Sequence, residues 1–396
     1  MVQEKLVSSE KTKNDNNVYH DEPELRFEKF DESWKEYCLE DCVIFLDNER
    51  KPLKESDRAD KKGKYPYYGA SGIIDYIDDY IFDDELILMG EDGANIITRS
   101  SRLVFLAKGK FWVNNHAHVF KAKQNFDSYF LAESLERINY EKYNTGTAQP
   151  KLNQEVCAKI KFKLPNIDEQ KRISIFLQHI DKKIELLEKK YNEKLIFKEE
   201  FFNKYISSLS KETQKIKLNN LIKILNDRNK NNDDLEVLSI SNKLGFISQE
   251  KQFEDRIVAS SDTKNYKIVK KGYFAYNPAR INVGSIARLK NYDEGIISPM
   301  YIVFKINEDL INPIFFENYL STNYFKLEIL KRLEGSVRLI LSAESLKNIE
   351  IFIPPLDEQD KISLFMITLT KSLELSKIEL DNFKEFKKGL LQKMFV

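Results

Sequence analysis

Cysteine is scarce. Cys38, Cys42 and Cys157 are three in 396 residues, an odd count without framework spacing, which excludes a disulfide scaffold and reads as reduced, intracellular thiols. Cys38 and Cys42 have no second Cys/His pair nearby to complete a tetrahedral site, and His116 and His118 lack a third ligand, so no metal is expected. Neither sign of charge prevails: 63 basic and 63 acidic side chains cancel. That excludes a globally basic nucleic-acid binder, though not a protein with a local basic face. No apolar run approaches the ~18 residues of a membrane span, and the N-terminus is polar where a signal peptide is apolar. The expected location is the cytoplasm, with no membrane partner. There is no G-x4-G-K-[ST] string, which argues against a motor, and no Gly-rich loop after a strand to hold a cofactor.

What the chain does contain is itself, twice. Residues 146–186 and 335–375 align without a gap at an offset of 189. From Ile160/Ile349 to Leu186/Leu375, eleven of 27 positions are identical, including Pro165, Asp168, Glu169, Gln170, Ile173, Ser174 and Phe176. Unrelated stretches would share about one or two, so this is a duplication. Weaker matches pair Leu39 with Leu218, Val119–Lys121 with Val303–Lys305 and Gly146 with Gly335, the offset drifting in loop-sized steps.

The organisation follows. Residues 1–33, charged and Asn-rich, read as a mobile polar leader. Residues 34–165 mix β-like runs (YIFDDELILMG, SRLVFLAK, FWVNNHAHVF) with turns at Asp92-Gly93 and Lys108-Gly109 and a helix-like stretch near Phe126–Tyr140, which makes an α/β domain. Residues 213–354 repeat that order. Each domain leads into a long helix, 166–212 and 355–396, with Asp168 and Asp357 as N-caps. Ile173, Leu177, Ile180, Ile184 and Leu187 form a narrow apolar seam on the first helix, and Ile362, Met366, Leu369 and Leu373 on the second. Such seams pair helix with helix, and with a globular unit between them the two run antiparallel. The fold class is α/β: two similar domains separated by two long helices in an antiparallel coiled coil, with an internal pseudo-twofold duplication.

Duplicated helices opening with P-x-[IL]-D-E-Q between two differing α/β units resemble the specificity subunit of type I restriction-modification systems. Further strings carry the resemblance: Tyr65–Ile73, Gly90–Asn95, Thr145–Asn153, Tyr276–Gly284, Gly335–Arg338 and Lys388–Phe395. Coverage runs from about Trp34 to the end of the chain. The resemblance implies a non-catalytic reader of double-stranded DNA, each α/β unit being a target recognition domain for one half of a bipartite asymmetric site. It further implies that the paired helices set the spacer and dock two methyltransferase subunits, which bring S-adenosylmethionine and, with motor-nuclease subunits, complete the enzyme.

Direct readout needs Arg or Lys for guanine and Asn or Gln for adenine, with other side chains on phosphates. Polar segments between the strands offer Arg99, Arg102, Lys110, Asn114 and Asn115 in the first unit, and Arg280, Asn282, Arg288 and Arg338 in the second. Thr147, Gln149 and Lys151, in a polar loop, join them at even odds with a purely structural loop. Other features read blandly. Tyr65–Tyr68 is a packed tyrosine turn, Asp83, Asp84 and Glu85 a solvated turn, and Glu91-Asp92 a tight turn before Gly93. Asn277-Pro278 begins like the amino-methyltransferase tetrapeptide, but Ala279-Arg280 follow where a proline and an aromatic are needed, so no catalytic residue is assigned. Three alternatives stay open: an exchangeable or decoy specificity subunit, a coiled-coil interaction adaptor without DNA specificity, and a stand-alone methyltransferase or nuclease.

Overall fold

Residues 6–8, 22–146, 148–242, 244–249, 263–336 and 338–396 are described by a computed structural model. It divides into one unit of Met1–Leu186 with Leu380–Val396 and another of Leu187–Glu379.

In chain order the first unit contains β1 (Leu6–Ser8), β2 (Leu25–Phe27), β3 (Lys35–Cys38), α1 (Leu39–Cys42), β4 (Val43–Phe45), α2 (Glu55–Ala59), β5 (Lys62–Gly69), β6 (Gly72–Ile77), β7 (Phe82–Gly90), α3 (Asn95–Thr98), β8 (Val104–Val113), β9 (Ala117–Ala122), α4 (Ser128–Glu136), α5 (Gln154–Ala158), β10 (Lys161–Leu164) and the start of α6 (Ile167–Glu212). Six strands form one sheet in the order β4-β9-β7-β8-β5-β6, and β3 pairs with β10. The second unit takes the rest of α6, then β11 (Lys215–Lys217), β12 (Ile222–Leu225), β13 (Val237–Ser241), β14 (Gly245–Ser248), β15 (Lys267–Lys270), β16 (Phe274–Tyr276), β17 (Ile286–Arg288), β18 (Glu294–Ile297), β19 (Ile302–Ile306), α7 (Pro313–Leu320), α8 (Asn323–Leu330), α9 (Ala343–Lys347), β20 (Glu350–Phe352) and most of α10 (Leu356–Met394). Here the strands form two four-stranded sheets, β12-β19-β16-β17 and β14-β13-β18-β15, while β11 pairs with β20.

The two units share a frame. β4-β9-β7-β8 and β12-β19-β16-β17 have the same order, and every neighbour is antiparallel. The parallel pairing of β5 with the end of β8 recurs as β13 with β18. What the first unit builds as two long strands, β7 and β8, the second breaks into β15/β16 and β17/β18. One break carries Gly272 at φ +86°, a left-handed conformation that glycine adopts without steric cost.

Each core is aromatic. Phe120, Phe130 and Tyr140 are fully buried in the first unit, and Phe274, Phe304, Phe315 and Phe316 in the second. Each such side chain contributes roughly 1.5–3 kcal/mol on leaving water.

The repeated P-x-[IL]-D-E-Q string acts as a clamp. In the first unit the Gln170 amide donates to the Pro165 carbonyl at 2.8 Å and accepts from the Asp127 N–H at 3.0 Å, while Ser174 donates to the Asp127 carboxylate. Asp127 is the N-cap of α4. In the second unit Gln359 donates to the Pro354 carbonyl at 2.9 Å and accepts from the Asn312 N–H at 2.8 Å, and Ser363 donates to Asn312, the N-cap of α7. Gln170, Ser174, Gln359 and Ser363 are all buried. These residues are repeated because they lock a domain helix onto a long helix.

Several expectations are corrected. α6 begins at Ile167 and α10 at Leu356, so Asp168 and Asp357 lie in the first turn, where their charge still suits the dipole. Asn166 caps α6 instead, accepting from the Glu169 N–H at 3.0 Å. Part of the stretch read as a mobile leader is structural. Phe27 is in the core, and Arg26 grips the fully buried Glu169 with two 2.7 Å hydrogen bonds. Lys108-Gly109 is not a turn, since Gly109 takes φ +76° inside β8. Asp83, Asp84 and Glu85 are strand residues opposite Lys110, Gly109 and Lys108, and Glu85 pairs with Lys108 at 2.7 Å.

The helix seams pack on the facing helical segments and also on the domain cores. In the first unit Ile173, Leu177 and Ile180 join one cluster with Leu390, Met394, Phe395 and the domain core, with Ile184 packed against it. In the second, Met366 joins Phe202, Ile206 and the domain core, with Ile362 and Leu369 alongside. Leu187 and Leu373 are also buried. Within the second unit Lys194 meets Ser372, Lys198 meets Thr370, Phe201 meets Phe365 and Tyr205 meets Glu358. One number rises as the other falls, so these helical segments are antiparallel. In the first unit Asp181–Lys387 and Lys183–Phe383 follow the same rule.

Candidate nucleic-acid interface

In the first unit three loops meet where β7 ends. The Glu91 N–H donates to the His116 carbonyl (2.9 Å), the Leu152 N–H to the Glu91 carbonyl (2.8 Å) and the Gly93 N–H to the Pro150 carbonyl (3.0 Å). The loop Asn144–Lys151 is tight. Asn144 Oδ1 accepts from the Gly146 and Lys151 N–H groups, and a Cβ on Gly146 would collide with the Gln149 carbonyl.

Beneath these loops lies a partly buried ionic network. Arg50 donates to Glu91 at 2.7 Å and to the Ala117 carbonyl at 2.8 Å, and Lys151 reaches the other Glu91 oxygen at 3.2 Å. Burial opposes charge on Glu91, but Arg50, His118 and Lys151 hold its carboxyl below the ordinary value. His118 is 1% exposed, with Nδ1 2.6 Å from Asp47 and Nε2 2.8 Å from the Leu152 carbonyl. Two acceptors require two N–H groups, so the ring is an imidazolium. Burial would push its pKa down, but the hydrogen bond to Asp47, with the Cys157 sulfur nearby, outweighs it and raises it to about 10. His116 instead pairs with Asp92 at 2.7 Å. Neither histidine faces the other's partners, and among the described residues no group of three or more His, Cys, Asp or Glu is placed to hold a metal ion.

The second unit repeats the meeting of loops. The Leu341 N–H donates to the Pro278 carbonyl at 3.0 Å, Tyr276 Oη lies 3.1 Å from the Leu341 carbonyl, and Asn277 approaches Met300. Gly335, at φ +111°, has its Cβ position occupied by the Arg338 carbonyl, as Gly146 does by Gln149, which explains the repeated glycine.

Of the residues singled out for DNA, the structure gathers Asn115, Gln149 and Lys151 at the first loop cluster and Arg280, Asn282 and Arg338 at the second, all exposed. Thr147 lies outside the described residues. Four others are held by the domain itself. Arg99, at φ +50°, pairs with Glu136 at 2.8 Å and lies over the Tyr140 ring. Arg102 pairs with Glu133 at 3.0 Å, and Arg288 with Glu317 at 3.1 Å. Asn114 is buried and accepts from the His116 N–H. Lys110 is exposed on β8 over the Tyr80 ring. Sequence reasoning took charge as availability, whereas these guanidiniums answer carboxylates that are distant in the chain. It also passed over Asn277, whose Asn-Pro string drew notice for a different chemistry.

A family model described as the type I restriction modification DNA specificity domain matches the chain twice, over residues 31–195 and 200–383. The chain belongs to the specificity subunits of type I restriction-modification systems, with one target recognition domain in each matched stretch. A putative type I restriction enzyme specificity subunit of Haemophilus influenzae is 34% identical over 140 residues, 35% of each chain. The type I restriction enzyme MjaVIII specificity subunit of Methanocaldococcus jannaschii is 24% identical over 91% of each chain. The crystal structure of an S subunit from M. genitalium shares the fold at a TM-score of 0.62 and 16% identity, covering 95% of this chain and 99% of that one. No helix among the described residues is long and apolar enough to cross a membrane.

Proposed function

We propose that this chain is the non-catalytic, DNA-reading subunit of a type I restriction-modification enzyme, each recognition domain taking one half of a bipartite asymmetric site in double-stranded DNA. The observation that carries this is the matched pair of loop clusters. Equivalent frames end in equivalent loops, but the exposed side chains differ: Asn115, Gln149 and Lys151 against Arg280, Asn282 and Arg338. Amide and guanidinium groups are those that read adenine and guanine edges. Two unlike readers on a common scaffold suit an asymmetric site with a fixed gap.

The paired helices set that gap and dock two methyltransferase subunits in the cytoplasm. Those subunits supply S-adenosylmethionine, and motor-nuclease subunits join through the complex. With net charge zero, the isolated chain binds DNA weakly, because phosphate neutralisation supplies much of such affinity.

The test is methylome sequencing of cells carrying this chain with its methyltransferase subunit, against the methyltransferase alone. A bipartite methylated motif that appears only with this chain is the expected result. A stable complex without new methylation would favour a decoy instead.

A further inference from the structure

We propose that the second recognition domain holds one nucleobase, turned out of the duplex, in a cavity at a position that is closed in the first domain. The proposal deepens the DNA-reading function above and rests on it.

The argument begins with one backbone position present in both domains. The Gly90 N–H donates to the Leu103 carbonyl, and the Asn277 N–H to the Ser285 carbonyl, both at 3.0 Å and both at the ends of equivalent strand pairs. In the first domain this position is closed. A Cβ on Gly90 would lie 2.7 Å from the Ala70 carbonyl and 2.8 Å from Leu103 Cδ1. In the second domain Leu103 is replaced by Ser285 and glycine by Asn277, and a cavity of about 280 Å³ opens beside them. That is just below the ~300 Å³ at which drug-sized sites begin, and suits a single flat heterocycle.

Its lining has unfulfilled hydrogen-bonding capacity. Asn277 is 7% exposed, and its Oδ1 accepts from the Ala279 N–H, which turns Nδ2 toward Met300 Sδ, a weak acceptor 4.0 Å away. Gln249 Oε1 is buried without a hydrogen-bond partner. A donor and an acceptor in one cavity match the mixed donor and acceptor edge of a base. Tyr266 and Tyr301 also line it, offering aromatic rings to a base, and Arg280 stands exposed at its rim. A base stacked within the duplex cannot reach an amide as buried as that of Asn277; an extruded one can.

Extrusion predicts an inverted response to mismatches, because a base that is already unpaired is easier to turn out. Once the motif is known, duplexes carrying single mismatches across both half-sites are bound to the full assembly, leaving aside the base that becomes methylated. One position in the half-site of the second domain should tighten about tenfold when mismatched, and none in the other half-site. Asn277→Leu should abolish the tightening and relax the motif at that position. Asn277→Asp, nearly isosteric, should do the same if the Leu variant does not fold. A clear motif in which every mismatch weakens binding, or tightening that survives both variants, would overturn the pocket alone. An assembly with no sequence preference would overturn the pocket and the DNA-reading function together.

Discussion

The first recognition domain fills with charge and main chain the region that the second leaves open. Around the end of β7, Arg50, Glu91, Lys151 and the His118 imidazolium tie three loops together, and Ala70 and Leu103 close over Gly90. Around the end of β16 the loops are joined by a main-chain bond and the Tyr276 hydroxyl, the position of His118 is taken by Ile302, and a cavity remains. The shared clamp at the long helices shows that this is not general divergence. The two domains share the anchorage and differ at the loop edge, so under the proposed function two domains of one frame would read by different means.

The largest effect expected to separate them is at the acid shared by the repeated string. Glu169→Ala strands Arg26 in the first core and should cost about 3–5 kcal/mol, as breaking a buried ion pair does. Glu358→Ala, half-buried and bonded to the Tyr205 hydroxyl, should cost about 1 kcal/mol. Hydrogen exchange resolved by domain measures both in the full chain, and equal losses would erase the distinction. Next is pH. With its pKa raised from an ordinary 6.5 to about 10, His118 stabilises the first domain fully below about pH 6.5, and that contribution is lost as pH rises through about 10. Between pH 7 and 10.5 the first domain should lose a few kcal/mol that His118→Gln does not lose, with no counterpart at Ile302 in the second. A third test should show sameness. Gln170→Ala and Gln359→Ala each orphan the N–H of a helix cap and should cost about 1–3 kcal/mol, alike in both domains.

How much of this was legible in the sequence depended on how local the cause was. The duplicated string, the long helices, their antiparallel seams and the two α/β units follow from periodicity and repetition, which are properties of neighbouring residues. The function of Gln170 was hidden, because its partner Asp127 is 43 residues away. So was the loss of Arg99, Arg102 and Arg288 to Glu136, Glu133 and Glu317, since a guanidinium looks the same in sequence whether it faces solvent or a carboxylate. Arg26 and Phe27 were misread with their polar surroundings, which carry no apolar period to mark a strand of three residues. The cavity beside Asn277 lies where Ser285 is smaller than Leu103 at the equivalent position, a difference that no local pattern in the sequence marks.

The smallest effects distinguish the reading edges themselves. Arg280→Ala should relax one position of the second half-site by about 1–3 kcal/mol of discrimination and leave the first half-site unchanged. Lys151 is half exposed and already shares its charge with Glu91 at 3.2 Å, so its alanine variant should lose less. Such a lysine adds a phosphate contact rather than a base contact, weakening all sequences alike and lowering the salt slope of binding by about one. Titrating both variants against the wild-type assembly at several salt concentrations separates the two behaviours. A Lys151 variant that changes the motif rather than the slope would make Lys151 a base contact like Arg280, and the contrast between the domains would then be confined to the cavity.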